Sequence, residues 1–193
     1  MLYAIIILFS MAVIAAVDII FFARMVGFLP YQAILGVIIM TVLEIAFNGL
    51  VALIIRRALP SKWFGVDKNF SASKKERVFY EKIGIKKWKD KVLELGCFTN
   101  FHKDKIEDPK SPEYVKRYIV EANYGVVIHF ALLFLSFAVI FFFPLEVWYC
   151  FAFPVAIVSV FLNALPLFIL RYNLAKLNTL YSVLIKRKIK SAA

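Results

Sequence analysis

The chain has 193 residues, 62% of them hydrophobic, with a mean hydropathy of +0.78 and a net charge of +11. A soluble domain is roughly half apolar, so the excess argues against a water-soluble fold and for a membrane protein. The basic residues come without a phosphate-cradling glycine pattern, a helix-turn-helix or a zinc spacing, which points away from nucleic acid and towards anionic lipid heads; two cysteines, Cys97 and Cys150, and two histidines give neither a disulfide framework nor a protein-built metal site.

Residues 1–23 (MLYAIIILFSMAVIAAVDIIFFA) are apolar over a length that spans a bilayer, for which about 20 residues suffice. A cleaved signal peptide would begin basic and have a shorter apolar core. No Lys or Arg precedes Arg24, so a retained helix is expected. Gly27 and Pro30 mark a tight turn. Residues 31–55 form a second span, closed by Arg56 and Arg57.

The region 56–118 is the only long polar stretch. Within it, Ser71, Ala72 and Ser73 can cap a helix starting near Lys74. Val78, Phe79, Ile83, Ile85, Trp88, Val92 and Leu95 keep a helical apolar face, with Gly84 as a break and Gly96 as a stop. Basic on one side and carrying Trp88 on the other, this segment suits a membrane interface. A third span covers 119–143, a turn follows at Pro144 to Glu146, and a fourth span covers 147–170 before a basic tail, 171–193. The expected architecture is an all-α, polytopic membrane protein: one membrane domain of four transmembrane helices with an amphipathic region on the cytosolic face.

Of the 24 Lys and Arg residues, 17 lie in 56–117 and six in 171–193. The positive-inside rule therefore puts the central region and both termini in the cytosol. The outer turns are too short to hold a site, so any chemistry is expected on the inner side or within the membrane.

Polar groups inside spans are costly and usually face a bundle interior or a cavity. Here they are Asp18, Glu44, Asn48, Glu121, His129 and Asn163, with Arg171 at the border. Glu121 to His129 and Asn163 to Arg171 are each eight residues, about 12 Å of helix rise. The two helices run in opposite directions, so one register pairs Glu121 with Arg171 and His129 with Asn163. Pro166 between the latter two frees a backbone carbonyl. In this register His129 is a general base that takes a proton from a hydroxyl, because imidazole titrates near neutral pH. Asn163 orients the ring or polarises an acyl carbonyl, and Glu121 with Arg171 holds local structure or a polar head group. The alternative is that these groups satisfy one another and hold two helices together.

Glu44 and Asn48 share a face and either join the same cavity or bond neighbouring helices. Asp18 is read as structural, a partner for Arg24. His102, which opens HKDKIE with an acid five residues on, is the second-choice base. Lys86, Lys87, Lys89 and Lys91 read as a solvated or lipid-facing surface, or else as a binder of the phosphates of an acyl-carrier thioester or an anionic lipid.

Three dispersed pieces carry a resemblance: ERVFYE (76–81) with GIKKWKDK (84–91); Arg117, Glu121 and His129; and NALP (163–166) with RYN (171–173) and Leu177. Over about residues 60–178 the chain resembles the glycosyl-4,4'-diaponeurosporenoate acyltransferase family, small bacterial membrane enzymes of carotenoid biosynthesis. The resemblance implies transfer of a fatty acyl group to a sugar hydroxyl on a lipid. The expected setting is a bacterial cell membrane, with membrane lipid, an acyl donor and a lipid or glycolipid acceptor as partners and no cofactor besides an acyl-thioester co-substrate. On these pieces His129, Glu121 and Asn163 are the catalytic candidates. Arg171, Arg117, Trp88, Lys89, Tyr80 and Asn173 are the candidates for holding substrate. Competing readings are a lipid-binding or scaffold subunit, another lipid-modifying enzyme such as a methyltransferase, and a small transporter, which would need a homo-oligomer for alternating access.

Overall fold

The computed structural model describes residues 2–68, 70–92 and 108–192. Among the described residues every regular element is helical. Four helical stretches are long and apolar enough to cross a membrane: Tyr3–Phe22, Pro30–Ala58, Pro112–Phe142 and Leu145–Ser191. The chain divides into two compact units, Met1–Ile55 with Phe130–Ala164, and Arg56–His129 with Leu165–Ala193.

In the first unit, α1 (Leu2–Val17) passes through a π turn at Asp18–Phe22 into a short helix, Ala23–Val26, which Gly27 ends in the left-handed conformation (φ +79°). Glycine adopts that conformation without steric cost. α2 (Pro30–Ala58) starts on a proline, whose missing N–H is no loss in a first turn. Its inward stripe is narrow: Ala33, Val37, Met40, Glu44 and Val51 are buried, while Ile34, Leu35, Ile38, Ile39, Val42 and Leu43 are exposed. A helix as apolar outside as inside is adapted to hydrocarbon rather than to water. Gly36 lets the Phe151 ring approach: a Cβ there would stand 2.8 Å from the ring.

The Pro166 reading has a definite outcome. Proline lacks the N–H that would serve the carbonyl four residues back, which is that of Leu162. The Tyr3 hydroxyl donates to this carbonyl at 2.6 Å, so the first helix is tied to the defect in the last. Tyr3→Phe removes the donor and is expected to lower stability by about 1–3 kcal/mol, read as a drop in thermal unfolding midpoint; an unchanged midpoint would mean the carbonyl finds another donor.

In the second unit, a single 3₁₀ turn at Ser61–Phe64 buries Phe64. The helix expected near Lys74 is α3 (Lys74–Lys82), and its cap is reciprocal: the Glu76 N–H donates to the Ser73 hydroxyl, and the Ser73 N–H donates to the Glu76 carboxylate. Gly84 (φ +72°) then turns the chain into α4 (Ile85–Trp88). Because of that turn, the expected single apolar face divides. Ile85 and Val92 are buried, whereas Val78, Phe79 and Ile83 are exposed. Leu95, Gly96 and Cys97 lie outside the described residues.

α5 (Pro112–Leu135) begins before the apolar run and tightens into a 3₁₀ stretch at Ser136–Phe142. After Leu145–Val147 and a second π turn at Trp148–Ala152, α6 runs as one helix from Phe153 to Ala192. Its 40 residues make about 60 Å at 1.5 Å each. That is about twice the hydrocarbon thickness, so the basic stretch after Leu170 stays helical well past the apolar run.

Candidate active site

The second unit is built round two polar centres. The first joins α3 to α6. One guanidinium nitrogen of Arg171 donates to both carboxylate oxygens of Glu76, at 2.8 and 2.9 Å. The Ala72 N–H donates to the Arg171 carbonyl at 2.9 Å. Tyr80 is buried and stacks on Phe168 at 5.1 Å between centroids. One turn on, the Tyr172 hydroxyl donates to Glu81 at 2.9 Å, and Glu81 also pairs with Lys86 at 2.9 Å. Lys176 lies over the Tyr172 ring. The pieces ERVFYE and RYN, 90 positions apart in the chain, therefore meet residue by residue.

The second centre lies on α5. Arg56 donates to Glu121 at 2.9 Å and sits over the Tyr124 ring. Tyr124 stacks on Phe64 at 3.8 Å and donates its hydroxyl to the Leu59 carbonyl at 2.7 Å. Asn123, fully buried, donates to the Phe64 carbonyl at 2.9 Å. His129 follows on the same helix, half-buried, as the last α5 residue of this unit.

One expectation is overturned. Glu121 does not pair with Arg171: Arg171 is held by Glu76, and Glu121 by Arg56. Equal eight-residue spacings fixed a possible register but not which side of each helix faces the other, and carboxylates and guanidinium groups outside both spans were nearer. Asn163 belongs to the first unit, where its amide donates to the Ser159 carbonyl at 2.9 Å. There it joins a polar cluster carried by the long apolar helices. Ser136 and Ser159 hydroxyls lie 2.9 Å apart and Asn48 donates to Ser159 at 2.8 Å, while Glu44, one turn earlier on α2, is buried with one carboxylate oxygen unpartnered. On the face shared by Glu44 and Asn48, it is Asn48 that bonds a neighbouring helix.

Of the remaining candidates, Trp88 donates its indole N–H to the Ile83 carbonyl and Lys89 pairs with Asp90. Arg117 is exposed on α5 and Asn173 is half-buried on α6. Asp18 is buried with one carboxylate oxygen unpartnered. His102 lies outside the described residues. Sequence reasoning missed the roles of Glu76, Glu81, Tyr172 and Arg56. Glu76 had a visible signal, since Ser-x-x-Glu before a helix is a capping box, but that signal names only one of its two partners.

The family model described as glycosyl-4,4'-diaponeurosporenoate acyltransferase matches residues 60–183. The chain belongs to this acyltransferase family. Searches among curated proteins and among solved structures gave no match. The enzyme is thus a membrane acyltransferase of carotenoid biosynthesis. The matched region takes in both halves of the α3–α6 centre, together with Glu121, Asn123, His129 and Asn163; Glu44, Asn48 and Arg56 precede it.

In the enzyme, the Ser73 backbone N–H, the Ser73 hydroxyl and Arg171 together hold the Glu76 carboxyl below its ordinary 4.5, the Ser73 N–H being the largest cause. A lowered carboxylate stabilises the fold above its unfolded value, and that stability is lost as pH falls through the folded one. Unfolding midpoints measured from pH 7 down to pH 3 should therefore fall more steeply in the wild type than in Glu76→Gln. Parallel curves would show that the carboxylate is not held this way.

Proposed function

We propose that the enzyme moves a fatty acyl group from an acyl thioester to a sugar hydroxyl of a glycosylated carotenoid acid at the inner leaflet, with His129 as the base. The observation that carries this reading is the meeting of ERVFYE and RYN in one hydrogen-bonded network, in the same unit as His129. A structural pairing alone would need only Glu76 with Arg171; here a buried Tyr80 and the Tyr172–Glu81–Lys86 chain extend it. The distribution of basic residues, 23 of 24 in the central region and tail, supports the cytosolic side.

The step conserves atoms and charge. His129 takes the proton of the acceptor hydroxyl as its oxygen attacks the thioester carbonyl. The tetrahedral oxyanion collapses, the carbon–sulfur bond breaks, and the leaving thiolate receives the proton from the imidazolium. Glu76 holds Arg171 in place and Tyr80 packs on Phe168 beside it, so these act as positioning residues. Lys87 and Lys91, both exposed and in no ion pair among the described residues, are available for phosphates on a carrier-linked donor.

The test is reconstituted enzyme with an isotope-labelled acyl thioester and glycosyl-4,4'-diaponeurosporenoate, with the ester product followed by mass spectrometry. A labelled ester that requires the sugar is the expected result. No ester with any thioester donor, together with a stably co-purifying protein, would favour a scaffold role instead.

A further inference from the structure

α3 is held at a defined depth. Glu76 binds Arg171, Tyr80 stacks on Phe168, the Ala72 N–H donates to the Arg171 carbonyl, and Glu81 binds Tyr172. Arg171 is the first charged residue after the uncharged run from Phe153 to Leu170. α3 therefore lies at the level where the last helix leaves its hydrocarbon-adapted stretch.

At 100° per residue, the side of α3 opposite the three residues that face the last helix, Glu76, Tyr80 and Glu81, is centred on Lys75 and Lys82 and flanked by Val78 and Lys74 on one side and Phe79 on the other. Val78 is 55% and Phe79 52% exposed, and Ile83, just past the helix, is 41% exposed. The three lysines are exposed beside them. Apolar side chains pointing outward among lysines, at the edge of a hydrocarbon layer, are the make-up of a helix lying among lipid head groups. The turn after α2 has the same character: Trp63 is 53% exposed within a few residues of Arg56 and Arg57.

We propose that the outer face of α3 is a docking surface for anionic lipid head groups, with Val78 and Phe79 dipping into the acyl boundary and Lys74, Lys75 and Lys82 meeting the phosphates. An acidic soluble protein would match the lysines but not the two exposed apolar side chains at this depth. The inference rests on the four membrane spans and not on acyl transfer, so either can fail alone.

The test uses the full chain in nanodiscs, with Cys97→Ser and Cys150→Ala and a fluorophore on Phe79→Cys or, as the distal reference, on Lys190→Cys. Lipids spin-labelled near the head group should quench the label at position 79 and not the one at 190. Adding phosphatidylglycerol to phosphatidylcholine discs should deepen the quenching at 79, and replacing Lys74, Lys75 and Lys82 by glutamine should remove that added effect. Equal quenching at both positions, or no response to phosphatidylglycerol in the parent protein, would overturn the proposal. So would shielding of position 79 only when an acidic acyl-carrier protein is added, which would assign the face to a soluble partner.

Discussion

His129→Gln is expected to lower acyl transfer by about 10²–10⁴-fold while leaving the fold in place. That is the usual contribution of a positioned general base, and glutamine keeps hydrogen-bonding capacity without being able to accept the hydroxyl proton. The side chain is half-buried on α5 and not part of the packed core, in contrast to Asn123 two turns earlier, which is fully buried. The substitution should therefore shift the thermal midpoint little. The informative measurement is single-turnover transfer at saturating donor: a loss in the chemical step with donor binding intact assigns the base. An equal loss in donor binding and rate would make His129 a binding residue, and unchanged turnover would remove it from the mechanism.

The largest expected effect on stability is at Phe64. Its side chain is 2% exposed, its ring stacks on Tyr124 at 3.8 Å, and its carbonyl accepts from the buried Asn123. Truncating a buried Phe to Ala costs about 3–5 kcal/mol, transfer and cavity together. The loss falls on the α5 segment that presents Glu121 and Tyr124, so activity should fall with stability, and Phe64→Leu should restore much of both. Trp63→Ala next to it is the contrast, because Trp63 is 53% exposed and its removal should leave the unfolding midpoint nearly unchanged. Similar losses at 63 and 64 would contradict the packing described for this turn.

The spans were legible because each is a long apolar run, and the burial pattern shows why nothing finer was. In α2 the buried Val37 and the exposed Ile38 are chemically alike. Periodicity cannot say which side of such a helix faces inward. That is why the Glu121–Arg171 pairing failed. Local signals fared better. The Ser71–Ser73 cap gave the start of α3, Gly84 its break, and Pro166 a freed carbonyl, because caps, left-handed turns and missing N–H groups act within a few residues. The partners that close the α3–α6 centre are long-range, with 95 positions between Glu76 and Arg171, and no local rule reaches that far. ERVFYE and RYN, which carry the family resemblance, are the two segments whose side chains meet there.

The most direct measurement is the pH dependence of acyl transfer in the wild type beside His129→Gln, with donor and acceptor saturating and folding verified at each pH. Base catalysis by an imidazole predicts that the wild-type rate climbs with pH through the range near neutrality, and that the variant, far slower, lacks this climb. A variant that keeps the same profile and a comparable rate would contradict the account.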